Sequence, residues 1–190
     1  MATATRKAAS KSATKAPARK AAPRTPVAQE ATALLRADHK QVSALFEQYE
    51  GARSAAKKKS IVASICMALG VHAKVEEEIF YPAVKAALKD KEMVPEATVE
   101  HATLKELMAQ VEGKEPDGEM FDARIKVMSE YVKHHVKEEE TEMFPKARKT
   151  RLDMKALGAR MAARKEELVA SWPLGEDKPG LLARLAEVVA

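Results

Sequence analysis

His72-Ala73-Lys74-Val75-Glu76-Glu77-Glu78-Ile79-Phe80-Tyr81-Pro82 returns 63 residues later as His135-Val136-Lys137-Glu138-Glu139-Glu140-Thr141-Glu142-Met143-Phe144-Pro145, with the aromatic-proline ending kept. In each copy a His and a Glu stand four residues apart. On a helix that spacing puts them on one face, one turn from each other, within reach of the same ion. Two copies of one metal-ligand phrase point to a two-metal site. A lone histidine precedes each copy: His39 lies 33 residues before His72, and His101 lies 34 before His135. Each half of the chain therefore offers one lone His and one His-x-x-x-Glu, so the repeat is architectural as well as local.

The chain around these phrases reads as helical. Its 190 residues suffice for one domain with a real core. Seven glycines and 4% aromatics, with abundant Ala, Leu, Glu, Lys and Met, favour an all-α protein over one built from β-branched and aromatic strands. The sole cysteine, Cys66, sits in the apolar run Ile61-Val62-Ala63-Ser64-Ile65-Cys66-Met67, so no intramolecular disulfide can form and a reducing, cytoplasmic compartment fits best. A buried, inert thiol is expected there. No apolar stretch approaches the roughly 20 residues needed to cross a bilayer, and the N-terminus lacks the apolar stretch of a secretory signal.

Charge divides the chain into a tail and a body. Residues 1–27 hold Arg6, Lys7, Lys11, Lys15, Arg19, Lys20 and Arg24, no acid, and otherwise mostly Ala, Thr, Ser and Pro. Such a segment buries too little apolar surface to offset its ordering entropy and is expected to be disordered. With those seven set aside, 26 of the 33 basic residues face 28 acidic ones, so the net charge of +5 belongs to the tail. Its Lys-Ala-Pro composition resembles linker-histone tails. Neutralising several phosphates would give nonspecific nucleic-acid binding, with Kd on the order of 10⁻⁴ to 10⁻⁶ M; a solubilising extension is the plainer alternative.

The apolar periodicity predicts four core helices. Over about 28–51, Leu35, Val42, Phe46 and Tyr49 recur at helical spacing, with His39 inside their stripe. Over about 56–88, Ile65, Leu69, His72, Glu76 and Ile79 share a face, and Pro82 is expected to kink the helix just beyond the ligands. A third helix starts near Val94-Pro95 and ends near Gly113, with Val94, His101, Leu104, Met108 and Val111 inward. After the Pro116-Asp117-Gly118 turn, a fourth aligns Phe121, Ile125, Met128, Val132, His135, Glu139 and Met143, with His134 on the flank of that stripe. Residues 152–170 form a further amphipathic helix carrying Leu157, Met161 and Leu168, and residues 181–190 a short apolar tail helix. The expected organisation is a tail over 1–27, a helical body over 28–150 and a helical extension over 151–190.

One histidine on an apolar face is usually a satisfied core residue. Here all four helices carry one, and two add a Glu one turn later, where an unpaired buried carboxylate would be costly. Glu77, Glu78, Glu138 and Glu140 fall off the stripe or at its edge, placed to support the ligands by hydrogen bonds. Imidazole with carboxylate suits iron, manganese or zinc. If both carboxylates bridge, each ion receives two imidazoles and two carboxylate oxygens, leaving an octahedral ion two open positions, one for a bridging oxo or hydroxo group and one for O₂, NO or peroxide. The Glu-x-x-His phrase of ferritin-like di-iron bundles is absent, as are the zinc-protease and c-haem motifs.

Asp38-His39-Lys40, His72-x-x-x-Glu76 with Phe80-Tyr81-Pro82, Glu100-His101, and His135-x-x-x-Glu139 with Phe144-Pro145 together resemble the hemerythrin-like, or HHE cation-binding, family over about residues 31–148. The resemblance implies an up-down four-helix bundle with a non-haem di-iron centre held by His39, His72, Glu76, His101, His135 and Glu139, in which Glu76 and Glu139 bridge the irons. Two departures from the classical oxygen carriers stand out. Those have a second His one turn after the third-helix His, where this chain has Lys105, and a His with an Asp five later on the fourth helix, where this chain has His-x-x-x-Glu. The resemblance, so modified, implies one iron more open to water or peroxide, and a protein that binds or senses O₂ or NO, or handles iron, rather than an enzyme with an organic substrate. Peroxidase or catalase activity at the same centre is one alternative. An iron or oxygen scavenger tethered to nucleic acid by the tail is another.

Overall fold

The computed structural model describes Met1, residues 29–89 and residues 91–172. Helix α1 spans Ala31–Gly51, and α2 spans Ala55–Val75. The latter continues through a π turn at Glu76–Phe80 into α3, Tyr81–Leu88. After α4, Met93–Ala109, the pattern repeats: α5, Glu119–Glu138, passes through a π turn at Glu139–Met143 into α6, Phe144–Arg148. A last helix, α7, spans Met154–Ser171. The four long runs form an up-down bundle, with α7 laid against α1, α2 and the first π turn. Among the described residues there is no strand, and no helix is long and apolar enough to cross a membrane. The expected disordered tail and the short helix over 181–190 lie outside the described residues.

Local chemistry sets the ends of these helices. Ser54 accepts a hydrogen bond from the Lys57 N–H at the start of α2, and Asp153 accepts from Lys155 and Ala156 at the start of α7. Gly118, with φ of 86°, turns the chain into α5 through backbone that a side chain would strain.

A wide turn precedes each of the two prolines of the repeat. The Tyr81 N–H bonds the Glu76 carbonyl and the Phe144 N–H bonds the Glu139 carbonyl, each five residues back, immediately before Pro82 and Pro145. The wide turn adds one residue per copy, and each added residue rotates the rest of the helix by roughly 100° about the axis. Ile79, placed inward by an uninterrupted stripe, is only partly buried; Phe80 and Tyr81 are fully buried instead.

Two apolar clusters flank the middle of the bundle. One gathers Leu35, Met67, Val75, Phe80, Phe144, Met161 and their neighbours; the other gathers Val42, Phe46, Ile65, Leu104, Phe121, Met128 and theirs. His39 lies in sequence between Leu35 of the first and Val42 of the second, and His101 between Ala97 and Leu104 in the same way. The histidines thus form a polar layer between two dry cores. Cys66 belongs to the second cluster, where burial and the Glu112 charge push its thiol up to about 12.

Helix α7 sits close because Gly158 has no side chain. A Cβ there would lie 2.2 Å from the Gln29 carbonyl oxygen and 2.8 Å from the Ala31 nitrogen, both backbone atoms that cannot swing aside. Trp172, beyond the end of α7, closes over Gly70 of α2. Gly158→Ala is expected to destabilise the protein by about 1–3 kcal/mol through overpacking, in spite of the better helix propensity of alanine. Urea unfolding of the metal-free chain checks this, and an unchanged midpoint would mean that α7 is loosely seated.

Candidate metal centre

All six side chains singled out by the repeat meet in the polar layer: His39, His72, His101 and His135 are 2–6% exposed, and Glu76 and Glu139 are 0% and 1% exposed. They fall into two groups. His39, His72, Glu76 and Glu139 form one, Glu76, His101 and His135 the other, the ligand atoms within each lying within 4.8 Å of one another. Glu76 is common to both.

The imidazoles all turn the same nitrogen inward. His39 Nε2 lies 3.2 Å from Glu139 Oε2, and His72 Nε2 lies 3.1 Å from Glu76 Oε2. His101 Nε2 stands 3.4 Å from Glu76 Oε2 and 3.1 Å from His135 Nε2. Each Nδ1 faces a carboxylate instead: Glu140 at 2.8 Å for His39, Asp38 at 3.5 Å for His72, Glu77 at 3.0 Å for His101 and Glu100 at 2.7 Å for His135. At His39, His101 and His135 the carboxylate lies within hydrogen-bond distance of Nδ1, which favours a proton there and turns the Nε2 lone pair to the centre. The longer approach of Asp38 leaves His72 Nδ1 and Asp38 Oδ2 without a hydrogen-bond partner. Four lone pairs and two carboxylates then converge on one small volume. Nε2 of His39 and His72, Oε1 of Glu76 and Oε2 of Glu139 have no hydrogen-bond partner. This acceptor-rich donor set fits bound cations.

The outer carboxylates carry partners in turn. Arg36 bonds Glu140, Lys165 of α7 bonds Asp38, and Lys105 bonds Glu77 at 2.6 Å. Glu100 has His134 at 3.7 Å. His101 is the foremost cause holding the Glu77 carboxyl down to about 2, with burial opposing and Lys105 assisting. Burial works against ionisation of Asp38 as well, yet His72 and Lys165 outweigh it and hold that carboxyl below its ordinary range. Burial would likewise raise Glu139, but the His39 imidazole 3.2 Å away and the charges of His135, His39 and His72 keep it well below the usual value.

Of the acids expected at the edge of the stripe, Glu77 and Glu140 support ligand histidines, whereas Glu78 pairs with Arg164 and Glu138 with His134. Two supporting acids, Asp38 and Glu100, went unassigned although each immediately precedes a lone histidine. Tyr81 was missed as a site residue. Its hydroxyl donates to Glu139 Oε1 at 2.8 Å and lies 3.4 Å from Glu76 Oε2 and 3.2 Å from His101 Nε2. The side expected to stand open to water therefore meets a phenol, while Lys105 turns outward to Glu77. Burial, then the charges of Glu76 and Glu139, push the Tyr81 hydroxyl well above its ordinary value, so it stays a donor. Phe144, the matching residue of the second copy, stacks on His39 at 5.8 Å.

A family model described as the hemerythrin HHE cation binding domain matches residues 30–147. A protein called a DNA nickase from Nostoc sp. (strain PCC 7120) is 28% identical over 111 residues, covering 58% of this chain; the chain spans only 31% of that relative's length. The crystal structure of a hemerythrin HHE cation binding domain-containing protein from Mycobacterium kansasii superposes with a TM-score of 0.64 at 20% identity, covering 85% of this chain and 98% of that one. At that identity the likeness speaks for the fold.

Tyr81→Phe removes the donor that Glu139 Oε1 faces while leaving the ring in place. In the metal-free protein it is expected to cost about 1–3 kcal/mol, the usual penalty for an orphaned buried acceptor. Urea unfolding measures it, and a gain in stability would show that burying the hydroxyl costs more than its hydrogen bonds return.

Proposed function

This chain belongs to the hemerythrin HHE cation-binding domain family, and we propose that its six converging side chains hold two non-haem iron ions in a centre that binds or senses O₂ or NO, or handles iron. The observation that carries this reading is the common orientation of the imidazoles, every Nε2 facing the two buried carboxylates and every Nδ1 facing an outer carboxylate. His39, His72 and Glu139 would hold one ion and His101 and His135 the other, with Glu76, common to both groups, available to each; Glu139 also stands 3.7 Å from His135 Nε2. Bound there, iron supplies the redox change and open coordination position that a diatomic ligand requires.

The surrounding residues supply the rest. A small, mostly apolar recess of about 10 Å³ adjoins His39, His72, His101 and His135 and is walled by Val42, Leu69, Leu104, Val132 and Val136. It has room for about one water-sized molecule and favours a neutral one. Tyr81 keeps a proton beside Glu139 and Glu76, which supports peroxide as a competing ligand and its turnover as a competing activity.

Protein loaded anaerobically with Fe(II) and then exposed to air tests the reading. About two irons per chain and new ferric bands are expected. His135→Ala should keep about one iron and Glu76→Ala neither, since Glu76 approaches the histidines of both groups most closely, at 3.1 Å from His72 and 3.4 Å from His101. One metal or none in the parent chain would sink the proposal. Peroxide added to the loaded protein separates binding from turnover, because sustained O₂ release that His135→Ala abolishes would make the protein an enzyme.

Acidity should govern loading. Burial disfavours the charged forms of His72 and His135, but Glu76 and Asp38 around the first, and Glu100 and Glu139 around the second, outweigh it and hold both imidazoles above their ordinary range. Protons thus take the place of metal on Nε2. Their contribution to folding is full below the ordinary histidine value, about 6.5, and fades as pH rises through the raised values. Metal must displace them, so uptake at neutral pH should release protons, and affinity should fall as the solution is acidified. Calorimetry in buffers of different ionisation enthalpy reads both; uptake without proton release would contradict the assigned ligands.

A second reading rests on the tail, whose seven basic and no acidic residues fit a polyanion, and on the relative named a DNA nickase. In it, residues 1–27 tether the centre to nucleic acid. Salt-sensitive DNA binding lost on deleting those residues would support it, and binding that survives the deletion would exclude the tail as the tether.

A further inference from the structure

The centre's ligands are almost completely enclosed, so an ion must have a way in. The two halves of the bundle differ in what covers them. Asp38 is 6% exposed and bonded by Lys165 from α7. Its counterpart Glu100 borders a partly open recess between α4 and the α5–α6 run, with about 60 Å³ of room for water. Exposed Glu96 and Glu142 line this recess, then half-buried Glu138, then buried Glu100, His135 and Glu139, and no lysine or arginine is among the lining residues. Lys146 approaches Glu142 at 3.4 Å. His134 stands 3.2 Å from Glu138 and 3.7 Å from Glu100, and these three form a third group with metal-ligand spacing. At the inner end, Glu139 is 1% exposed and its Oε2 has no hydrogen-bond partner.

We propose that this acid-lined recess is the entry route for the divalent cations of the centre, with Glu138, His134 and Glu100 as the landing place. The inference rests on the metal-centre reading and adds to it a direction of approach. Carboxylates in a cleft with low-dielectric walls concentrate cations from solvent. Successive oxygens replace the ion's water shell step by step, and the last of them, on Glu139, already belongs to the centre. The recess walled by Val42, Leu69, Leu104, Val132 and Val136 places no carboxylate among its lining residues, so short of the four histidines themselves an ion meets only apolar side chains there.

Stopped-flow absorbance of Co(II) binding to the metal-free full chain tests this. The variant Glu96→Gln/Glu138→Gln/Glu142→Gln removes three charges from the recess. The variant Glu47→Gln/Glu50→Gln/Glu112→Gln removes three from exposed positions elsewhere. The first is expected to bind at least about tenfold more slowly, as loss of electrostatic focusing predicts, while reaching the same final stoichiometry and spectrum as the parent. The second should load at the parental rate. Parental loading by the first variant, or equal slowing of both, overturns the route. A parent chain that binds no Co(II) at all overturns the metal centre itself, an outcome visible before any rate is compared.

Discussion

Too many acceptors in too little space is the constraint on which this molecule is organised. Four imidazole nitrogens and two carboxylates share a layer between two apolar clusters, and among the described residues the phenol of Tyr81 is the one neutral donor given to them. Left alone, such a layer would repel itself apart. Positive charge must fill it, as protons on His72 and His135 or as metal. The outer ring makes this arrangement durable, because Glu77, Glu100 and Glu140 each orient one histidine by a hydrogen bond at Nδ1, and Asp38 sets a charge 3.5 Å from Nδ1 of His72. The cations beyond them, Arg36, Lys105 and Lys165, then hold Glu140, Glu77 and Asp38 in place.

The two halves realise one plan with different residues. In each, a lone His is supported by the acid that comes directly after the other half's bridging Glu, and the His of the His-x-x-x-Glu phrase by an acid that immediately precedes a lone His. The π turns repeat as well, each opening at the Glu that its phrase delivers to the centre. Symmetry stops at the aromatic before proline. Tyr81 lays a hydroxyl among the ligands, whereas Phe144 covers His39 with a bare ring. The surroundings of the two histidine pairs therefore differ in polarity although the pairs themselves match.

Helix period and the repeat were enough to place the six converging residues, because none of them lies beyond the point where the period changes. Tyr81 was hidden by that change. Under a uniform helix it faces away from Glu76, and only a turn one residue wider brings it back, a shift signalled in the sequence by no more than the proline after it. Lys165 was hidden for a different reason. It is remote in sequence and reaches Asp38 only because Gly158 lets α7 lie against the start of α1. Helical spacing reports which residues share a face, not which helix will cover it.

The bridging position of Glu76 has a consequence for how the bundle holds together. It stands in the first half but belongs to both ligand groups, and Glu139 of the second half joins the group built on His39 and His72. Ions held by these groups, as proposed, would each be gripped from both halves, and the centre would then work as a rivet between two helical hairpins. With the rivet in place, opening one hairpin means stripping ligands from the other, so the bundle yields as a single cooperative unit. Without it, the halves meet through their aromatic and apolar contacts, such as Phe80 against Phe144 at 5.6 Å, and each can loosen on its own. On that reading metal occupancy becomes mechanical: the state of the centre would set how readily the chain opens.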